Sequence, residues 1–242
     1  MITRMPLIAV TLRGVLGRRR TWLMILLASL PVLVALLIRA GGGQPNATTI
    51  LDTLLIRTVM PLLALVFGTA ALGSELEDGT AIYLMVKPIP RWHILLAKMA
   101  VAASLTIALV FPVTVLTGLI TDGRDALSLA EILGYALVVS AGGAAYACAF
   151  VALSAFTGRA LILGLGYVLL WEGVLSGLLE GTRFLSIRQA SLGLAAQVTG
   201  NVTTPPALDL ATSAAILVAV VAGAILLGSM RLSRFEIRGS DG

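Results

Sequence analysis

Arg57 and Glu172 are the ionisable side chains set most deeply in apolar sequence. A lone charge in hydrocarbon is costly and turns toward a protein interior or a partner. Arg57 stands about five residues inside one end of the apolar run 51–72, and Glu172 about seven inside the matching end of the run 160–179; at ~1.5 Å per residue both lie roughly 8–11 Å below the same surface. Opposite charges at equal depth have two readings. One is a structural ion pair, or an arginine snorkelling toward the headgroups. The other is a pair that lines a path for a substrate.

Other chemistry lacks its residues. A phosphate-binding loop needs Gly-Lys followed by Ser or Thr. The lysines here are Lys87, after Val86, and Lys98, after Ala97, so any use of ATP must come from a partner. A membrane serine protease needs a histidine beside its serine, and the single histidine, His93, lies in a polar stretch next to Trp92. A metal site needs several His, Cys, Asp or Glu on neighbouring helices; the apolar runs supply little beyond Glu172, and the single cysteine, Cys148, sits alone in one of them. The expectation is a non-catalytic chain with no cofactor and no metal.

The elements that would position Arg57 and Glu172 follow from composition. The 242 residues are 58% hydrophobic and only 12% charged, about half the charge of an ordinary soluble domain. Apolar residues come in blocks of span length. We read an all-α integral membrane protein, one transmembrane domain over 1–242, with about six spans at 22–38, 51–72, 99–120, 132–156, 160–179 and 210–230. Residues 4–17 repeat Met5, Ile8, Leu12 and Val15 at helical spacing among arginines, the pattern of an amphipathic helix lying on the membrane surface. Pro31 and Pro61 fall within spans, where membrane helices tolerate them. Thr157 to Arg159 is a tight turn, so the spans around it are antiparallel neighbours. The segment 180–208 is too broken in its apolar runs to cross.

The net charge is +5, yet the basic residues form no stripe for nucleic acid. Twelve of the 17 Lys and Arg residues gather at one set of span ends and four at the other (Arg39, Arg124, Arg183, Arg188), with Arg57 inside a span. The excess of positive charge on cytoplasmic ends then places both termini in the cytoplasm, as an even number of spans requires. Small residues in the fourth and fifth runs, among them Ser140, Gly142, Gly143, Gly164 and Gly166, suit close helix packing. Trp22 and Trp92 on one side, and Trp171 and Phe184 on the other, suit the interfacial belts.

The stretch 74–98 is the longest charged segment between spans. Acids cluster at its start and bases at its end, apolar residues lie between, and Pro88 and Pro90 turn the chain. This reads as a short helix crossing the cytoplasmic face. The stretch resembles the permease subunits of ABC-2-type transporters, in which an acidic pair, Gly-Thr, a small apolar stretch, Pro-apolar-x-Arg and a lysine follow the second span. Here these are Glu75, Glu77, Gly79, Thr80, Leu84, Pro88, Ile89, Arg91 and Lys98. The amphipathic start, the six spans, the long outer segment after the fifth and the Arg234-Phe235 tail resemble the smaller bacterial members.

The resemblance implies two permease subunits, as a homo- or heterodimer, with two separate ATP-binding cassette ATPase subunits docked beneath them in a bacterial plasma membrane. Glu75, Glu77, Gly79, Thr80, Pro88 and Arg91 would form the coupling contact. It also implies that the second and fifth spans, and so Arg57 and Glu172, border the translocation path. The expected activity is export of a hydrophobic or amphipathic substrate. Two rivals remain from the residues alone: a scaffold or sensor worked by an ATPase partner without cargo, and an ion-coupled secondary transporter.

Overall fold

The protein is described by a computed structural model over residues 18–77, 91–121, 127–175, 184–200 and 208–233. The amphipathic segment 4–17, the Arg-Phe tail and, from the coupling stretch, Gly79, Thr80 and Pro88 lie outside the described residues. Within the described residues there is no strand, and the seven helices run in chain order as follows. Helix α1 is Arg18–Ala40. Helix α2 is continuous but changes pitch: an α turn at Ala47–Ile50, a π-helical stretch at Leu51–Val59, and α-helix again at Met60–Glu77. Helix α3 is Arg91–Ile120 and α4 is Leu129–Phe156. Helix α5 begins as α-helix at Ala160–Gly166 and continues as π-helix at Tyr167–Leu175. Helix α6 is Ile187–Thr199 and α7 is Leu210–Ser233.

Five of these (α1, α2, α3, α4 and α7) are long and apolar enough to cross a membrane, and α5 is a shorter apolar helix described as far as Leu175. The chain is an all-α, multi-pass membrane protein. The observed helices run several residues past the expected spans: α3 starts at Arg91 rather than 99 and α4 at Leu129 rather than 132. Hydropathy marks only the apolar part of a helix, whereas the backbone ladder continues into its polar turns.

Caps set the helix starts. Asn46 accepts from the Thr49 amide at 3.0 Å and opens α2, with the Thr48 hydroxyl donating to the same Asn46 oxygen at 2.8 Å. The Asn46-Ala47-Thr48 triplet thus has a structural use. Ser128 and Glu131 form a reciprocal capping box at α4. The Thr212 amide donates to Asp209 at 3.3 Å, and the Thr212 hydroxyl, with that amide, holds the Asp209 carboxyl below the usual range. In α2 the π ladder closes with the Met60 amide bonded to the Leu55 carbonyl. Next comes Pro61, which has no N–H to extend either ladder and whose ring crowds the preceding turn. The wider turn upstream accommodates that ring.

Helix α4 is the hub. It is 67% buried across its apolar stretch, against 22% for α1 and 17% for α7, so the last two are the least covered helices of the bundle. Composition explains the contrast. Helix α4 carries Gly142, Gly143, Ala145, Ala147 and Ala152 where neighbours approach, whereas α1 presents Trp22, Leu23, Leu26 and Leu37 outward. A Cβ on Gly142 would strike the Ser191 hydroxyl of α6, one on Gly143 would come within 3.0 Å of Thr106 of α3, and one on Gly164 of α5 would strike Leu65 of α2. Gly166, expected from sequence to pack, faces open space. A glycine that sequence reading passed over, Gly68 of α2, sits 3.0 Å from the Ala147 carbonyl when given a Cβ.

The two ends of the bundle are tied differently. At one end Lys98 of α3 donates to the Ala71 carbonyl of α2, and Arg231 of α7 lies over the Phe156 ring at 6.0 Å. At the other, Arg39 of α1 donates to the Ile120 carbonyl of α3 at 2.8 Å. That second end, called here the Glu172 end, holds the polar cluster.

Candidate functional site: a polar cluster between the two π-helical stretches

Both stretches of π-helix carry charge. The one in α2 holds Asp52 and Arg57, and the one in α5 holds Glu172. In a regular α-helix, residues five apart point about 140° away from each other. The wider π turn brings them toward one face. Tyr167 and Glu172 are five apart, and the Tyr167 hydroxyl donates to Glu172 Oε1 at 2.9 Å. Asp52 and Arg57 share this spacing.

Glu172 is 1% exposed. Its carboxylate is held by three hydrogen-bond donors besides Tyr167 and by one ion pair. The Ser186 hydroxyl donates to Oε2, and the Ile187 and Arg188 amides donate to Oε1 at 3.0 and 3.5 Å. Arg188 Nε stands 3.9 Å from Oε2, an ion pair without a close hydrogen bond. These groups form the first turn of α6, so Glu172 of α5 caps another helix from outside and meets the positive end of its dipole. Ser186 serves twice: it donates to Glu172 and accepts from the Gln189 amide at 3.0 Å. Tyr146 of α4, wholly buried, stands within electrostatic reach of Glu172. It stacks on Phe150 at 5.9 Å, and Phe150 meets Tyr167 edge-on at 6.4 Å, so a run of three aromatic rings joins α4 to α5 beside the cluster.

Across the cluster, the Tyr135 hydroxyl of α4 donates to Asp52 Oδ1. Arg57 is half-buried and acts electrostatically on both Tyr135 and Arg188. Glu172 is thus bound to Tyr167, Ser186 and Arg188, and Asp52 to Tyr135, with Arg57 within electrostatic reach of both groups. Sequence reading placed Arg188 in an outer loop among the solvent-facing bases. The structure puts it, buried, on a short helix that supplies Glu172 with a cationic partner. A signal for that helix was present: Ser186 with Gln189 three residues on, the capping-box spacing, and Gly200 after the last turn, where φ is 63°. Asp52 and Tyr135 were missed, because hydropathy averages over a single acid and a tyrosine.

Of the coupling residues, Glu75 and Glu77 lie in the final turns of α2, and Arg91 is the first residue of α3. Both arms of the loop are thus helical up to its base. Lys98, two turns into α3, is 1% exposed and bonds α2 at 2.6 Å.

The described residues form a multi-pass helical bundle with a buried polar cluster at one end. Comparison with known families places the chain. The family model described as ABC-2 family transporter protein matches residues 16–171, from the approach to α1 to the residue before Glu172. The chain belongs to that family: it is a permease of an ABC transporter, a membrane subunit of a kind that is generally non-catalytic and works with an ATP-binding subunit. Neither the curated proteins nor the solved structures gave a match.

Proposed function

We propose that the chain forms the translocating half of an exporter for hydrophobic or amphipathic molecules in a bacterial plasma membrane. It would act as a homo- or heterodimer over two ATPase subunits, with both termini cytoplasmic. The observation that carries this reading is the family match, which takes in α1 to α4 together with the loop between α2 and α3. Export is supported by the resemblance, and at the Glu172 end α1 and α2 are separated only by residues 41–46. The polar cluster supports a path bordered by α2 and α5, since Arg57 of α2 lies within electrostatic reach of Arg188, the ion-pair partner of Glu172 of α5.

Glu75, Glu77, Gly79, Thr80, Pro88 and Arg91 are the proposed contact for the ATPase. Support comes from the helical arms that reach Glu77 and Arg91. A lever needs such stiffness to carry nucleotide-driven closure into the spans.

The test is capture followed by vesicle transport. The tagged chain, drawn from its native membrane in mild detergent, should bring down an ATP-binding cassette ATPase. Vesicles holding the pair should move a fluorescent amphipathic dye only with ATP. Movement driven by an ion gradient without ATP, or a captured ATPase that cycles without moving any cargo, would replace this reading with one of its rivals.

A further inference from the structure

Helix α6 has 13 residues, about 20 Å of helix, too short to cross a bilayer. It is nevertheless largely buried, against α4, α7 and the π-helical stretch of α2. Two of its surfaces differ in kind. Its contact with α4 is smooth and made of small groups: Ser191 rests against Gly142, and Val198 against Gly134. The Ser191 hydroxyl turns back to its own helix, donating to the Ile187 carbonyl at 2.9 Å. The first turn is different. The Ser186 hydroxyl, the Ile187 and Arg188 amides and the Arg188 guanidinium all converge on one carboxylate of α5, and the indole N–H of Trp171 reaches the Leu185 carbonyl at 3.4 Å.

A helix seated on small residues and fastened at one end can come away as a unit. We propose that α6 is a plug in the Glu172 end of the permease and that Glu172 is the latch that holds it shut. Releasing the latch uncovers the Gly142 face of α4 and the neighbouring Met60, and so opens the way toward Asp52 and Arg57. Glu172 in this role is a positioning residue. This deepens the permease reading and rests on it, but its test needs neither ATPase nor substrate.

The test reads local opening against global loosening. The full-length chain is purified in detergent with Cys148→Ala, carrying either Ser191→Cys on α6 or Ser154→Cys on α4. Both serines are fully buried and differ from cysteine by one atom. A charged thiol reagent then reports the rate at which each position becomes accessible. Glu172→Ala should speed labelling at position 191 by about tenfold or more and leave 154 unchanged, as expected for opening of one element rather than the fold. Glu172→Gln, which keeps an accepting oxygen, should fall between Glu172→Ala and the parent. If Glu172→Ala does not fold, Arg188→Ala removes the ion-pair partner while leaving the Ser186 cap in place, and should speed labelling at 191 by about threefold. Unchanged labelling at 191 overturns the proposal. Equal acceleration at 191 and 154 also overturns it, because Glu172 would then be supporting the whole bundle.

Discussion

Lys98 donates to the Ala71 carbonyl across 2.6 Å, and its side chain is 1% exposed. The bond joins the two helices that carry the arms of the coupling stretch, so it fixes how α2 and α3 sit at the root of that loop. The acceptor is a backbone carbonyl within α2, already engaged in the helix ladder. Replacing Lys98 by methionine keeps the stem and removes the buried charge, an exchange that often changes stability little. Lys98→Met should shift unfolding in detergent by less than about 1 kcal/mol, yet lower ATP-driven transport, because the arms are no longer fastened. Lys98→Glu sets a buried anion against a carbonyl and should cost roughly 3–5 kcal/mol. A Lys98→Met protein that is as stable and as active as the parent would show that the bond has no part in coupling.

Glycine packing offers a second check. Gly68 is buried, and a Cβ there would lie 2.7 Å from Phe150 Cβ and 3.0 Å from the Ala147 carbonyl. The carbonyl cannot step aside without moving α4. Gly68→Ala should destabilise by about 1–3 kcal/mol. Gly166, with nothing within 4 Å, is the control. Its change to alanine should be neutral or stabilise by up to ~1 kcal/mol through helix propensity. Thermal midpoints in one detergent decide between these, and equal effects at both positions would contradict the packing.

The ion pair in the cluster can be measured by a double-mutant cycle. Arg188→Ala removes the guanidinium but leaves Glu172 its hydroxyl and amide donors, whereas Glu172→Ala leaves a buried arginine and takes the acceptor from the Ile187 and Arg188 amides. The Glu172 change should therefore be the costlier. The pair should show a coupling of about 1–3 kcal/mol in unfolding free energy. Additive losses would mean that the 3.9 Å approach carries no energy.

Much of this fold was legible because lipid imposes a simple rule: every backbone group must bond within its own helix, so a run of apolar residues is a helix and little else. That rule gave Leu129–Phe156 and Leu210–Ser233 to within a few residues. It could not give α6, because a short buried helix beside the spans needs no continuous apolar run. Nor could it show that the spans of Asp52 and Glu172 widen into π turns, since the pitch change depends on packing and on Pro61. Depth counting set Arg57 and Glu172 against each other, but it had no means of seeing Arg188 approach Glu172 from a segment read as an outer loop.

Orientation follows from the asymmetry of basic residues and can be tested directly. Gln44 is exposed in the connection between α1 and α2, whereas neighbouring Gly42 has φ of 80° and would strain any side chain. In a Cys148→Ala background, Gln44→Cys should react with a thiol reagent that cannot cross the membrane when it is added to whole cells. Gly79→Cys should react only after the cells are opened. The reverse pattern would place both termini outside.

The coupling stretch provides the last prediction. Between spans it is the longest charged segment on its side, whereas the turn at Thr157–Arg159 is too short to offer a surface. Helix α2 runs unbroken from the polar cluster to Glu77, and α3 runs from Arg91 past Lys98, so a push on the loop has two stiff members to follow. Charges at the ends of such a loop steer a partner and fix its register more than they add affinity. Reversing Glu75 and Glu77 to lysine should therefore cut co-purification of the ATPase and lower ATP-driven transport while the spans stay inserted. A rival explanation is that the acids only favour the start of a following helix through its dipole. The two separate by yield. Loss of a helix-stabilising charge lowers the amount of folded protein, whereas loss of docking leaves that amount intact and removes the partner. A reversed protein that is normally abundant, binds its ATPase and drives transport would show that the contact lies elsewhere on the cytoplasmic face.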